Sequence, residues 1–234
     1  MKANAKKDLE TTRLEALQSY AVLDTKSEQA FDDLTALVAD ACQTPIALVS
    51  LVDTDRQWFK SCHGLDANET PREHAFCDHA IRKPGVMVVP DAKQDERFAD
   101  NPLVTGAPNI RFYAGSPLVD ADGHALGTLC VIDREPRQLS SRQLDTLEQV
   151  SRQVVHLLEL RRSNRNMASC LERIQSLAEM IPMCGHCHAV RDDADNWQRL
   201  EQYFQDVSGT QVTHGICPTC MVKHYEVLDS AESC

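Results

Sequence analysis

Apolar positions recur along this chain at two periods, and each change of period marks the border of an element. Over residues 8–19, Leu9, Leu14 and Leu17 stand at helix-compatible spacing. Thr25 and Glu28 have the spacing of a capping box, and Phe31, Leu34, Val38 and Ala41 then repeat at helical period, so a second helix is predicted to end before Pro45. Ile46 to Asp53 is a continuous run rich in Val, Ile and Leu, which fits a strand buried on both faces. A turn at Asp53-Thr54-Asp55 returns the chain over Gln57 to Cys62 and makes a hairpin. Residues 64–74 read as loop, 75–82 as a short helix and 86–89 as a short strand. The stretch 91–108, rich in Asp, Asn, Pro and Gly, reads as loop with room for one helical turn at 95–99. A second hairpin joins strands at 111–119 and 125–133 through Asp122-Gly123, and alternation puts Leu126, Thr128, Cys130 and Ile132 on one face.

Ser140 and Gln143 repeat the capping-box spacing at the head of a helical stretch from 141 to 179. Leu147, Val150, Val154 and Leu157 can cover the sheet. After a one-residue phase break, Leu160, Asn164, Met167, Leu171, Ile174, Ala178 and Ile181 continue as a heptad-like seam with a polar Asn inside it. No sheet remains for that second half, so two copies of the helix are expected to pair in parallel as a coiled coil, Asn164 opposite Asn164, in a homodimer. Pro182 breaks the helix. Beyond it, paired cysteines surround a helix expected at 194–207, followed by a polar tail from Glu226.

The 234 residues suffice for one large domain and a small appendage. A net charge of −11 argues against a nucleic-acid partner held by phosphate neutralisation. No apolar run approaches the roughly 20 residues that span a bilayer, and Met1 to Glu10 is too polar for a secretory signal. The expectation is a cytoplasmic protein with no membrane partner. Of the ten cysteines, Cys184, Cys187, Cys217 and Cys220 form two C-x-x-C pairs, Cys42, Cys62, Cys77, Cys130 and Cys170 stand singly, and Cys234 is the last residue. With no secretory signal, such pairs read first as a metal site. Four thiolates around one tetrahedral ion suit structural zinc, and a module too small for its own core gains most from that staple. A dithiol redox switch is the alternative. Of the nearby histidines His186, His188, His214 and His224, His214 lies three residues before Cys217.

The segment LDT…E…FDDLTALVADACQTPIALVSLVD, followed in order by RQWFKSCHGL, FCDHAI, VVPDAKQDERFADNPLV, IRFYAGSPL and GTLCVID, resembles the GAF domains of bacterial sensor kinases and cyclic-di-GMP enzymes. The resemblance covers 10–160 and implies an α/β (α+β) domain: an antiparallel sheet, helices behind it and a ligand pocket in front. It is joined by the helix at 141–181 to the cysteine-rich module at 182–225, whose IPMCGHCHAVRDDADNWQRLEQYF…THGICPTC resembles a tail found after bacterial sensory or receiver domains. The pocket residues implied are Trp58, Phe76, Cys77, His79, Asp91, Phe98, Arg111, Tyr113, Thr128 and Cys130, with Arg111 a candidate for pairing an anionic group. No kinase, GGDEF-, EAL- or HD-type motif is visible, and the chain is too short to add such a domain. A non-enzymatic sensor of an unidentified small molecule is therefore expected, signalling through the dimeric helix to the zinc-stapled module or to a partner protein. Two other readings are a free methionine-R-sulfoxide reductase using Cys77, Cys62 or Cys130, and a module that only dimerises.

Overall fold

The computed structural model describes residues 2–178, 182–192, 195–209, 211 and 213–225. They fall into two compact units, 1–168 and 169–234. In the first, α1 (Lys2–Ser19) and α2 (Gln29–Cys42) precede the hairpin of β1 (Ile46–Val52) and β2 (Arg56–His63). The insert contributes β3 (Glu69–Pro71), α3 (Phe76–Ala80), β4 (Met87–Val89) and α4 (Pro102–Thr105). A second hairpin of β5 (Phe112–Val119) and β6 (Ala125–Asp133) leads into α5 (Ser141–Ala178). All strands pair antiparallel in the order β3-β2-β1-β6-β5-β4, so the two hairpins meet through β1 and β6 at the centre.

Alternation along the central strands builds two cores. Ala47, Val49 and Leu51 of β1 face α1, α2 and α5, where they meet Leu17, Phe31, Val38, Leu147, Val154 and Leu158. Ile46, Leu48 and Val52 face the insert, against Phe59, Phe76, Phe98 and Ile132. Burying each large aliphatic side chain of these sets contributes about 2 kcal/mol, which explains why β1 carries an apolar residue at nearly every position.

Two strand irregularities redirect side chains. Lys60 is the extra residue where the β1–β2 register shifts between Val49 and Ser50. As a result Lys60 and Ser61 both turn to the helix side: Lys60 Nζ donates to Glu28 Oε1 at 2.6 Å, and Ser61 Oγ donates to Asp32 Oδ1 at 2.6 Å. A second shift lies between Leu118 and Val119, opposite Leu126. Leu126 consequently packs in the helix-side core, while Thr128, Cys130 and Ile132 face the insert or lie buried beside it. The expected four-residue face therefore loses Leu126 to a bulge.

The two capping-box spacings fare differently. Ser140 Oγ accepts from Gln143 N at 3.4 Å and Gln143 Oε1 accepts from Ser140 N at 3.0 Å, the reciprocal pair that opens α5. At α2, Glu28 is the N-cap but makes no side-chain cap bond. Its carboxylate is engaged instead by Lys60 and Arg161. The helix expected over 75–82 is shorter, ending at Ala80.

In the second unit, a hairpin of β7 (Val190–Arg191) and β8 (Trp197–Gln198) precedes α6 (Leu200–Ser208) and α7 (Pro218–Tyr225). The helix expected from 194 thus starts later, because Trp197 and Gln198 pair with Arg191 and Val190 first. Its expected start at Ala194, the seam's end at Ile181 and the tail from Glu226 lie outside the described residues. Among the described residues of this unit, Val190 is the buried hydrophobic one.

Candidate functional site

The insert-side face carries a cluster centred on Cys77. α3 holds Phe76 and Cys77 over β5 and β6, and Asn101 Nδ2 anchors the preceding turn by donating to His74 O at 3.0 Å. Phe76 stacks on Phe98 with ring centroids 3.9 Å apart, and Tyr113 lies 5.2 Å from Phe76. Tyr113 folds back over Gly115, where a Cβ would lie 2.1 Å from its hydroxyl oxygen, so glycine there admits the ring. That fold brings the Tyr113 hydroxyl within 3.4 Å of Cys77 Sγ as a donor. The Thr128 hydroxyl donates to the same sulfur at 3.0 Å, and Cys130 Sγ lies 4.0 Å away.

These neighbours set the chemistry of the thiol. Burial pushes Cys77 up, but hydrogen bonds from Cys130, Thr128 and Tyr113, with the nearby Ser50 hydroxyl, outweigh it and bring the thiol down to about 7. Ser50 Oγ itself is buried and meets no partner in full hydrogen-bond geometry, so its effect on Cys77 is the smallest of the four. Cys130 is held well above its ordinary value, first by its bond to Cys77, and burial does the same for Tyr113. The arrangement can stabilise one thiolate with a second thiol beside it.

The structure brings together Phe76, Cys77, Phe98, Tyr113, Thr128 and Cys130, with half-buried His79 at the margin, edge-on to Phe98 at 4.9 Å. Three expected members stand apart. Trp58 belongs to the helix-side core, because it alternates with Phe59 along β2. Asp91 accepts from Lys93 N and Gln94 Nε2 in its own turn. Arg111 Nη1 donates to Val104 O at 2.8 Å and Ile110 O at 2.9 Å, bracing the α4 segment rather than pairing an acid. Ser50 was not anticipated; its signal is a hydroxyl within an apolar strand, directly opposite Thr128. Cys62 is separate from the cluster and donates to Leu65 O at 2.8 Å.

Two concavities border β2. A polar cleft of about 880 Å³ is lined by Asp24, Asp32, Lys60 and Glu69 among others, and it lies off the Cys77 cluster. Its lining cation Lys60 is paired with Glu28, and its acids Asp24 and Glu69 are paired with Arg56. A smaller apolar cavity of about 290 Å³ lies on the insert side, bounded by Ile46, Leu48, Gln57 and Ile110.

In the cysteine-rich unit, Cys184 N donates to Ala189 O at 2.8 Å and His188 N to Cys184 O at 3.0 Å, which curls the first pair into a tight turn. The backbone N–H groups of Cys187 and His186 point at Cys184 and lower its thiol, and the Cys187 side chain adds to this. The second pair opens α7, where Cys220 and Thr219 backbone groups and the Cys220 side chain lower Cys217. The four thiols of the two pairs are not gathered within 4.8 Å of one another. Among the described residues, the group of three or more potential ligands gathered within 4.8 Å is Asp120, Asp122 and His124, on the turn between β5 and β6. His214 faces Glu201 at 3.5 Å.

A six-stranded antiparallel sheet, helices on one face and a compact insert on the other, is a GAF-like fold. A GAF domain profile matches residues 27–158, more than half of the chain, and the chain belongs to the GAF domain family. It is 45% identical over 155 residues to a Pseudomonas aeruginosa protein named as a cyclic di-GMP phosphodiesterase. That match takes in 66% of this chain and 26% of the relative, so the chain spans about a quarter of the relative's length. Among solved structures, the GAF domain of an Acinetobacter phosphoenolpyruvate-protein phosphotransferase is 17% identical, with 66% of this chain and 98% of that one covered and a TM-score of 0.48. The free methionine-R-sulfoxide reductase of Neisseria meningitidis is 19% identical, with 64% and 87% covered and a TM-score of 0.47. The relative's name corrects the expectation of a non-enzyme: the chain's kin include a protein named for catalysis. The expectation rested on catalytic motifs sought within this chain, whereas the relative's name describes a whole four times the matched length. Among the described residues, no helix is long and apolar enough to cross a membrane.

Proposed function

We propose that this chain is a sensory module of cyclic di-GMP signalling, in which the GAF domain takes up a small molecule and α5 carries its state onward in a homodimer. The cyclic di-GMP connection is supported by the 45% identity to the phosphodiesterase. The observation that carries the relay is the change of environment along α5. Leu147, Val154 and Leu158 are buried against the sheet, yet Leu160, Met167 and Leu171 on the same helix are more than half exposed. Asn164 lies between them, also exposed. An apolar stripe with one polar position, left in solvent, is what a second copy of the helix would cover.

The cysteine-rich unit is the proposed end of that relay. Cys184, Cys187, Cys217 and Cys220 would hold one structural zinc ion. The donor type supports this: four thiolates suit zinc, and the backbone N–H groups beside Cys184 and Cys217 favour the thiolate form, so the ion would draw together two pairs that stand apart. A unit with one buried hydrophobic residue among those described also has little other source of order.

Native mass spectrometry of the full chain, with light scattering, tests the reading. Two chains, one zinc per chain and a retained small molecule are expected, and Met167→Glu should give monomers at micromolar concentration. A wild-type monomer removes the helix relay.

A further inference from the structure

We infer that the GAF domain binds a small, neutral aromatic molecule bearing one hydrogen-bond donor, in the cavity between Gln57 and Ile110 rather than in the filled cluster around Cys77. The inference rests on the ligand-sensing reading above and names the ligand's chemistry.

Three features define the cavity. Its floor is apolar, made by Ile46 and Leu48 of β1, Phe59 of β2 and Ile132 of β6. Its roof, around Leu103 and Ile110, is held in place by the protein's own hydrogen bonds: Ile110 N donates to Leu103 O at 2.8 Å, and Arg111 ties Val104 O to Ile110 O. No charged side chain lines it. A charged ligand would therefore be desolvated with no compensation.

The third feature is Gln57, whose residue is 5% exposed. Its Nε2 donates to Thr70 Oγ1 at 3.2 Å, but its Oε1 is buried with no partner. A buried acceptor left unmade is costly, and a donor entering from the cavity would relieve it. A single orphan acceptor in an apolar chamber selects for one N–H or O–H on an otherwise apolar body. Size narrows the class further. A cavity of about 150 Å³ holds benzene, so this one, of about 290 Å³, suits a two-ring aromatic. Cyclic dinucleotides, large and doubly charged, are excluded from it.

Indole and benzofuran, which have the same two-ring shape with and without the N–H donor, are suitable probes, titrated into the full chain by calorimetry. Indole should bind about tenfold more tightly than benzofuran. Gln57→Leu should remove that preference while the fold, followed by circular dichroism, is kept or stabilised. Leu48→Trp should fill the chamber and abolish both; if it fails to fold, Ile132→Phe reads the same loss. Equal affinity of the two probes for the wild type, a tenfold preference that survives Gln57→Leu, or no indole binding would each overturn the assignment. A chain that ignores indole yet retains a small molecule in native mass spectrometry would refute this cavity and leave ligand sensing standing; one that neither binds indole nor retains a small molecule would refute both.

Discussion

At the scale of the residue, Lys60 states the physics of the helix side most sharply. Its side chain is wholly buried, and its ammonium is satisfied by Glu28 Oε1, Thr25 Oγ1 and Lys26 O. A buried charge stripped of its partner costs far more than the pair contributes over an apolar replacement. Glu28→Ala should therefore destabilise the domain by about 2 kcal/mol, the usual penalty reduced because Glu28 itself is partly in solvent. Lys60→Met should cost less, under about 1 kcal/mol, since it removes the charge with its need. Urea midpoints of the two variants give the comparison, and the reverse order would refute it. The pH dependence has a definite sign. Burial raises the Glu28 carboxyl, but bonds from Lys60 and Arg161 outweigh it and hold the group below 4.5. This stability is complete above 4.5 and is lost as pH falls through the lowered folded value, so acid should erase the gap between wild type and Glu28→Ala.

At the scale of the element, α5 depends on its first turn. The Ser140–Gln143 pair satisfies backbone N–H groups at the helix start, and Gln143 Nε2 also donates to Cys42 O at 3.2 Å, at the end of α2. Ser140→Ala should cost about 1 kcal/mol of domain stability, and Gln143→Ala somewhat more because it also unties α2. Thermal or urea unfolding reads both; a silent Gln143→Ala would show that the bond to α2 contributes nothing. The spacing at Thr25 and Glu28 was equally legible as a capping box, yet it caps nothing. A local motif yields when a buried ammonium, reachable only in the folded sheet, claims the same carboxylate.

At the scale of the whole molecule, the two compact units draw their order from different sources. The first has two continuous cores on either face of its sheet. The second has Val190 and two cysteine turns among its described residues. If zinc orders it, Cys217→Ser or chelation should release amide-exchange protection over residues 182–225 and leave that of 46–133 unchanged. Protein purified without added metal should carry one zinc per chain. Much less zinc with free thiols and intact protection would refute the metal and favour the dithiol switch.

Period and spacing in the sequence determined much of this protein. The two hairpins, the long α5, the cap at Ser140 and the cysteine pairs follow from local chemistry that survives in any context. Residues that share a strand face by simple alternation, such as Thr128 and Cys130, were also legible. The tertiary structure decided what alternation cannot. Bulges at Lys60 and Leu126 turned side chains to the other face, because register is a property of two strands and not of one. Trp58 left the candidate site for the helix-side core, Arg111 spent its donors on the α4 segment, and Ser50 of β1, paired across the sheet with Thr128 of β6, came beside Cys77 of α3. Gln57 reads in the sequence only as the polar start of a hairpin's return strand; the insert folding over β2 buries it and leaves its oxygen without a donor.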